Sequence, residues 1–165
     1  MKLKVVKDVG KISVLENKIN FWEHSYIGID HTRWTTHGRV TINNSHPHKQ
    51  GNITLVHNEI IDNYLDIKKK LLELDYKFKG ETDSEVLCGL IDCYYNETED
   101  ILESLNMVMK EIKGSYACAI IVDDNYDKIT CIYVNTSYFN LFFSFTKTFF
   151  SLIVFIKNIF YVKDA

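Results

Sequence analysis

Between residues 63 and 112 apolar positions recur every three to four residues, and this spacing predicts three consecutive helices. Ile67, Leu71 and Leu74 stripe the first, with Asn63 placed to cap it and Asp66 in its first turn. Thr82 and Glu85 make a capping-box pattern ahead of the second, whose apolar set is Val86, Leu87, Leu90, Ile91 and Tyr94. Thr98 opens the third, with Ile101, Leu102, Leu105, Val108, Met109 and Ile112 on one stripe. The helical period then stops. Residues 115–122 (SYACAIIV) are almost wholly apolar, the pattern of a strand covered on both faces. A turn at 123–127 and a further strand at 129–134 follow. Upstream, ITLVH at 53–57 reads as a buried strand, YIGID at 26–30 as another strand, and SVLENKI at 13–19 as a short helix. Residues 41–52 are dense in turn formers, hold the only proline, Pro47, and read as loop.

Beyond residue 135 the pattern has no period and is rich in Phe, Ile and Asn. Two readings stay open: a weak membrane helix, or the translation of AT-rich DNA that is not evolved coding sequence. Lys147 and Lys157 divide the segment into apolar runs well below the roughly 20 residues that span a bilayer, so a membrane is not expected as a partner. The expected organisation is one domain over residues 1–134 and an attached Phe/Ile-rich tail over 135–165.

Composition adds limits. The 165 residues are 46% apolar and 25% charged with a net charge of −3, as in an ordinary globular domain, and no nucleic-acid partner is expected. Lys68, Lys69 and Lys70 lie in a helical pattern among acids and read as a solvated face. The four cysteines (Cys88, Cys93, Cys118, Cys131) sit in apolar segments without a CxxC pair, which suits small buried hydrophobes in a reducing, cytoplasmic setting. The first residues, MKLKVVKDVGKIS, contain no apolar run of signal-peptide length.

Candidate chemistry gathers where predicted strands close and helices open. HTRWTTHGR at 31–39 is too polar for a core element. Arg33 offers a bidentate fork for a carboxylate. Asp83, near a helix start, could hold an ammonium. Asn58 follows a buried strand, where its amide could stabilise an oxyanion. Trp34 could close over a ligand, and Thr36, His37 and His57 line the same stretches. Together these suit a free α-amino acid. Structural readings stand beside them: Asp83 as part of the Thr82 cap, His37 and His57 as partly buried histidines, Arg33 as a surface ion pair. A zinc site from His46, His48 and His57 is not expected, because proline separates two of them and no helix spaces them.

The blocks HTRWTTHG, SHPH, LVHNEIIDNY and ETDSE resemble, in order and spacing, HTRWATHG, AHPH, VHNGIIENY and ETDTE of the glutaminase domain of glutamine–fructose-6-phosphate aminotransferases. The resemblance runs from about Val5 to Ile132. It implies an α+β fold, the αββα sandwich of N-terminal-nucleophile hydrolases, here incomplete because the first strands are missing. It also implies glutamine as substrate, ammonia release for glucosamine 6-phosphate synthesis, a dimer as in the family, and neither cofactor nor metal. By matching motifs, Arg33 would bind the glutamine α-carboxylate and Asp83 its α-ammonium, and Thr36 and His37 would line the pocket under Trp34. Asn58 and the backbone amide of residue 59 would form the oxyanion hole.

Three departures bear on activity. The family's opening block, a cysteine followed by GIVGYIG, is absent, and the family nucleophile with its own α-amine goes with it. The family glycine after Asn58 is Glu59, which would be strained if the position needs positive φ and would bring negative charge to the oxyanion. The sugar-isomerase domain that would bind fructose 6-phosphate is also missing. The expectation is therefore a partial glutaminase domain, inactive alone. The alternatives are a non-catalytic glutamine-binding or regulatory module and a membrane-tethered protein using the tail.

Overall fold

The computed structural model describes residues 3–18, 28–32, 39–125, 128–134 and 140–146. Its centre is β3 (Gly114–Val122), the run predicted to be covered on both sides. It pairs antiparallel with β2 (Ile53–Ile61) on one flank and β4 (Lys128–Val134) on the other. The outer positions go to β1 (His48–Gln50) and β5 (Asn140–Thr146), giving the order β1-β2-β3-β4-β5. A short helix, α1 (Ile12–Glu16), precedes the sheet; α2 (Tyr64–Glu73), α3 (Asp83–Thr98) and α4 (Ile101–Glu111) lie between β2 and β3 in the chain.

Side chains alternate across a strand, so each face of β3 buries its own set. Tyr116, Cys118, Ile120 and Val122 join Ile53, Leu55, Val86, Leu87, Leu90, Ile91 and Leu105 in the larger core, under the helices. Ala117, Ala119 and Ile121 join Val56, Ile129 and Cys131 on the opposite face, where Leu3, Ile29 and Tyr133 pack. Among the described residues the molecule is thus one helix layer on one antiparallel sheet, with a second apolar sheet face behind it.

Several elements differ from their sequence readings for identifiable reasons. Asn63 precedes α2 but makes no cap bond. Its amide instead donates to Glu111 O at 3.0 Å and accepts from Lys113 N at 2.8 Å, tying the start of α2 to the end of α4. Thr82 caps α3 as expected, accepting from Glu85 N at 3.2 Å. Glu85 does not complete the capping box; its carboxylate turns back to accept from Lys79 N and Gly80 N at 2.9 and 2.7 Å. Thr98 ends α3, and Asp100 caps α4 by accepting from Leu102 N and Glu103 N, a cap worth about 1 kcal/mol. Leu74 and Leu102, placed on the buried stripes, are exposed.

The loop at 41–52 contains β1, whose His48–Gln50 pairs with Ile53–Leu55. Of the predicted strand at 26–30, the described residues 28–30 have no regular structure, and 26 and 27 lie outside the described residues. β5 stands in the Phe-rich segment, for which the sequence offers a weak membrane helix or no evolved element, and pairs along β4 from Lys128↔Thr146 to Val134↔Asn140. Among the described residues no helix is long and apolar enough to cross a membrane.

Candidate functional site at the end of strand β2

β1 pairs with the first three residues of β2, so from Val56 onward β2 has β3 as its one strand neighbour among the described residues. The N-terminus of α3 fills that open edge. Asp83 is the first residue of α3, and its Oδ2 accepts from Ile61 N at 3.0 Å. Its Oδ1 accepts from Ser84 N at 2.9 Å and more weakly from Ser84 Oγ at 3.4 Å. The carboxylate also lies where the helix dipole favours negative charge. Asp83 therefore does more than support the Thr82 cap: it joins the end of β2 to the start of α3.

Asn58 is half-buried on β2, opposite Ala117, on the face turned away from the helices. Three residues of strand separate it from Ile61, about 10 Å. Between them, Glu59 has φ 83°. The sequence raised this conformation as the condition for strain at a position where the family carries glycine. Among the described residues two other non-glycine positions share positive φ, Asp75 and Glu99. Glu99 is a left-handed helix cap, an ordinary place for it. Glu59 is inside a strand, where a side chain gains nothing from that geometry. Glu59→Gly is expected to stabilise the chain by about 1 kcal/mol, the relieved strain exceeding glycine's extra entropy cost. A higher urea midpoint for the variant is the expected reading, while an unchanged or lower one contradicts a strained Glu59.

His57 is 2% exposed and points to the helix side. Its Nδ1 lies 2.9 Å from Ser84 Oγ, and Nε2 has no partner among the described residues. Burial holds its pKa at about 4, below the usual 6.5, a little offset by nearby Asp83 and reinforced by His31. The imidazole is neutral at pH 7. The sequence puts His57 among the polar side chains of a candidate amino-acid site, with a partly buried histidine as the structural reading, and does not single out Ser84. The TDSE word, with a hydroxyl directly after the candidate carboxylate, was the available signal.

The loop before β1 is bound to the same helix start. Asn44 donates to Arg39 O and accepts from Glu81 N, both at 2.9 Å. His48 Nε2 lies 3.2 Å from Thr82 Oγ1. His46 packs edge-on to His48 with ring centroids 4.8 Å apart. His48 thus braces α3, with His46 packed behind it; among the described residues no three metal-ligating side chains converge. Arg33, Trp34, Thr36 and His37 lie outside the described residues.

The four thiols are free. Burial raises the pKa of Cys88, Cys93 and Cys118 and pushes Cys131 up to about 12. Cys88 also donates to Ile53 O at 3.3 Å. None is arranged as a thiolate nucleophile.

The family described as the glutamine amidotransferase domain matches residues 37–155. The chain belongs to this family. Among relatives, the glutamine–fructose-6-phosphate aminotransferase (isomerizing) of Caldanaerobacter subterraneus is 45% identical over 130 residues, covering 77% of this chain and 21% of that protein. The enzyme of the same name from Fusobacterium nucleatum is 44% identical over 132 residues, covering 78% and 21%. The chain thus spans about a fifth of the length of the curated relatives it matches. A solved glutamine phosphoribosylpyrophosphate amidotransferase from B. subtilis shares the fold, with a TM-score of 0.50 at 23% identity over 62% of this chain and 22% of that one. The α+β class expected from the amidotransferase blocks is the one observed. The match by sequence also places this domain with the glutaminase part of the aminotransferases.

Proposed function

We propose that these residues form the glutamine-holding part of a glutaminase site that supplies ammonia for glucosamine 6-phosphate synthesis. The observation that carries the reading is the junction of β2 and α3: a carboxylate at a helix start, Asp83, bonded to the strand that bears Asn58 and the positive-φ residue 59. In this reading Asp83 takes the α-ammonium of glutamine and Arg33 its α-carboxylate. Trp34, Thr36 and His37 complete the pocket. Asn58 and the Glu59 backbone amide receive the oxyanion.

The attacking thiolate of such a reaction comes from none of Cys88, Cys93, Cys118 or Cys131, whose thiols stay protonated. The 165 residues by themselves therefore bind glutamine without hydrolysing it. Fructose 6-phosphate, which the relatives' names include, enters the reading only through a further domain. A cytoplasmic setting and a dimer belong to the same reading.

Calorimetric titration with glutamine tests it. Binding with a Kd on the order of 0.1–1 mM, weakened at least about tenfold in Asp83→Asn, is the expected result. The absence of heat at millimolar glutamine would remove the reading. Ammonia release above buffer background would contradict the account of the thiols.

A further inference from the structure

We propose that His57 is a positioning residue that acts through the Ser84 hydroxyl to aim the free lone pair of Asp83 at a ligand ammonium. The proposal rests on the glutamine-site reading and adds to it the group that orients the ammonium holder.

The argument is an inventory of lone pairs. An ionised carboxylate has about four acceptor directions. Ile61 N takes one on Oδ2, and Ser84 N and Ser84 Oγ take two on Oδ1. Among the described residues one direction on Oδ2 is left for an incoming N–H. Ser84 Oγ can donate to Asp83 only if its single proton is not used elsewhere, and His57 Nδ1 stands 2.9 Å from that same oxygen. If Nδ1 carries the imidazole proton, His57 donates to Ser84, and Ser84 donates onward to Asp83. If Nε2 carries it, Ser84 must donate to His57, and Oδ1 loses its hydroxyl donor.

Burial decides between the two. Nε2 is buried without a partner among the described residues. An orphaned lone pair there is tolerated better than an orphaned N–H, so the proton belongs on Nδ1. Full protonation would place a donor at Nε2 with no acceptor for it among the described residues. The neutral imidazole is therefore fixed in one tautomer, and a single chain of donors runs from His57 to the carboxylate. The chain joins β2 to α3 alongside the Ile61–Asp83 bond, so the carboxylate is held from both oxygens and cannot rotate.

Two measurements on the 165-residue chain test this. Long-range nitrogen–proton NMR of the histidine rings at pH 7 is expected to show His57 as the neutral Nδ1–H tautomer. An Nε2–H tautomer overturns the proposal whether or not glutamine binds. The second measurement compares glutamine with its analogue lacking the α-amino group, by calorimetry. Ser84→Ala and His57→Leu should weaken glutamine about tenfold and leave the analogue unchanged, while His57→Asn, which keeps a donor near the Nδ1 position, should retain affinity. Equal weakening of both ligands, or no weakening of either, overturns the positioning role alone. No binding of glutamine to the unaltered chain overturns the glutamine-site reading and this inference with it.

Discussion

Unfolding by urea is expected to become easier by about 3 kcal/mol as the pH falls from 6.5 to 4, through His57 alone. The folded imidazole titrates at about 4 and the unfolded one at 6.5, so between these values the unfolded chain binds a proton that the folded chain refuses. Stability from this group is complete above pH 6.5 and is lost as the pH drops toward 4. The cause is first the removal of water from the ring. The negative charge of Asp83 works against the shift and His31 works with it, without reversing it. Carboxylates titrate in the lower part of the same window, so the measurement must isolate His57. Urea midpoints at pH 7, 6, 5 and 4 for the unaltered chain and for His57→Leu do so. The variant should show a shallower fall over the upper half of the window. Parallel curves would mean that the imidazole is solvated.

Gly114→Ala is expected to cost about 2–4 kcal/mol, a large part of the stability of a domain of this size. Gly114 opens β3 at φ 119°, a conformation that disfavours any side chain. A Cβ placed there would stand 2.4 Å from the backbone oxygen of Ile60 and 3.4 Å from Asp62 N and Oδ2. Backbone cannot give way as a flexible side chain can, so the end of β2 must shift. That end carries Ile61 N, the donor to Asp83, so the damage reaches the candidate site. Gly10→Ala is the matched control: its φ is 109°, but nothing lies within 4 Å of its Cβ. It should show the backbone strain without the clash, and Gly114→Ala should exceed it. Equal losses at both positions would mean that strand approach at Gly114 has no role. Glutamine affinity should fall in Gly114→Ala and hold in Gly10→Ala.

Much of the fold could be read directly from the chain. The stripe of Val86, Leu87, Leu90 and Ile91 placed α3, and the continuous SYACAIIV placed the central strand, because period and burial are local consequences of residue order. Thr82 is legible as a cap because its partner, Glu85 N, is three residues away. Asn63 shows the reverse. A cap is the nearest use for an asparagine at a helix start, but its partners here are 48 and 50 residues distant. β1 was hidden among turn formers because a three-residue strand has no period to detect, and its pairing with β2 is what makes it a strand.

The sequence by itself determined the family, the helix layer and the two core strands, and it nominated Asp83, Asn58 and His57 as site candidates, since motif words and periodicity are properties of neighbours in the chain. Only the tertiary structure decided what those residues touch. It placed His57 on Ser84 across 27 residues and Asp83 on Ile61 across 22. It set Glu59 at φ 83° inside a strand, meeting the condition under which that position is strained. Hydrogen bonds between distant segments form only once packing has brought the segments together and excluded water from around them, and no local pattern encodes that distance.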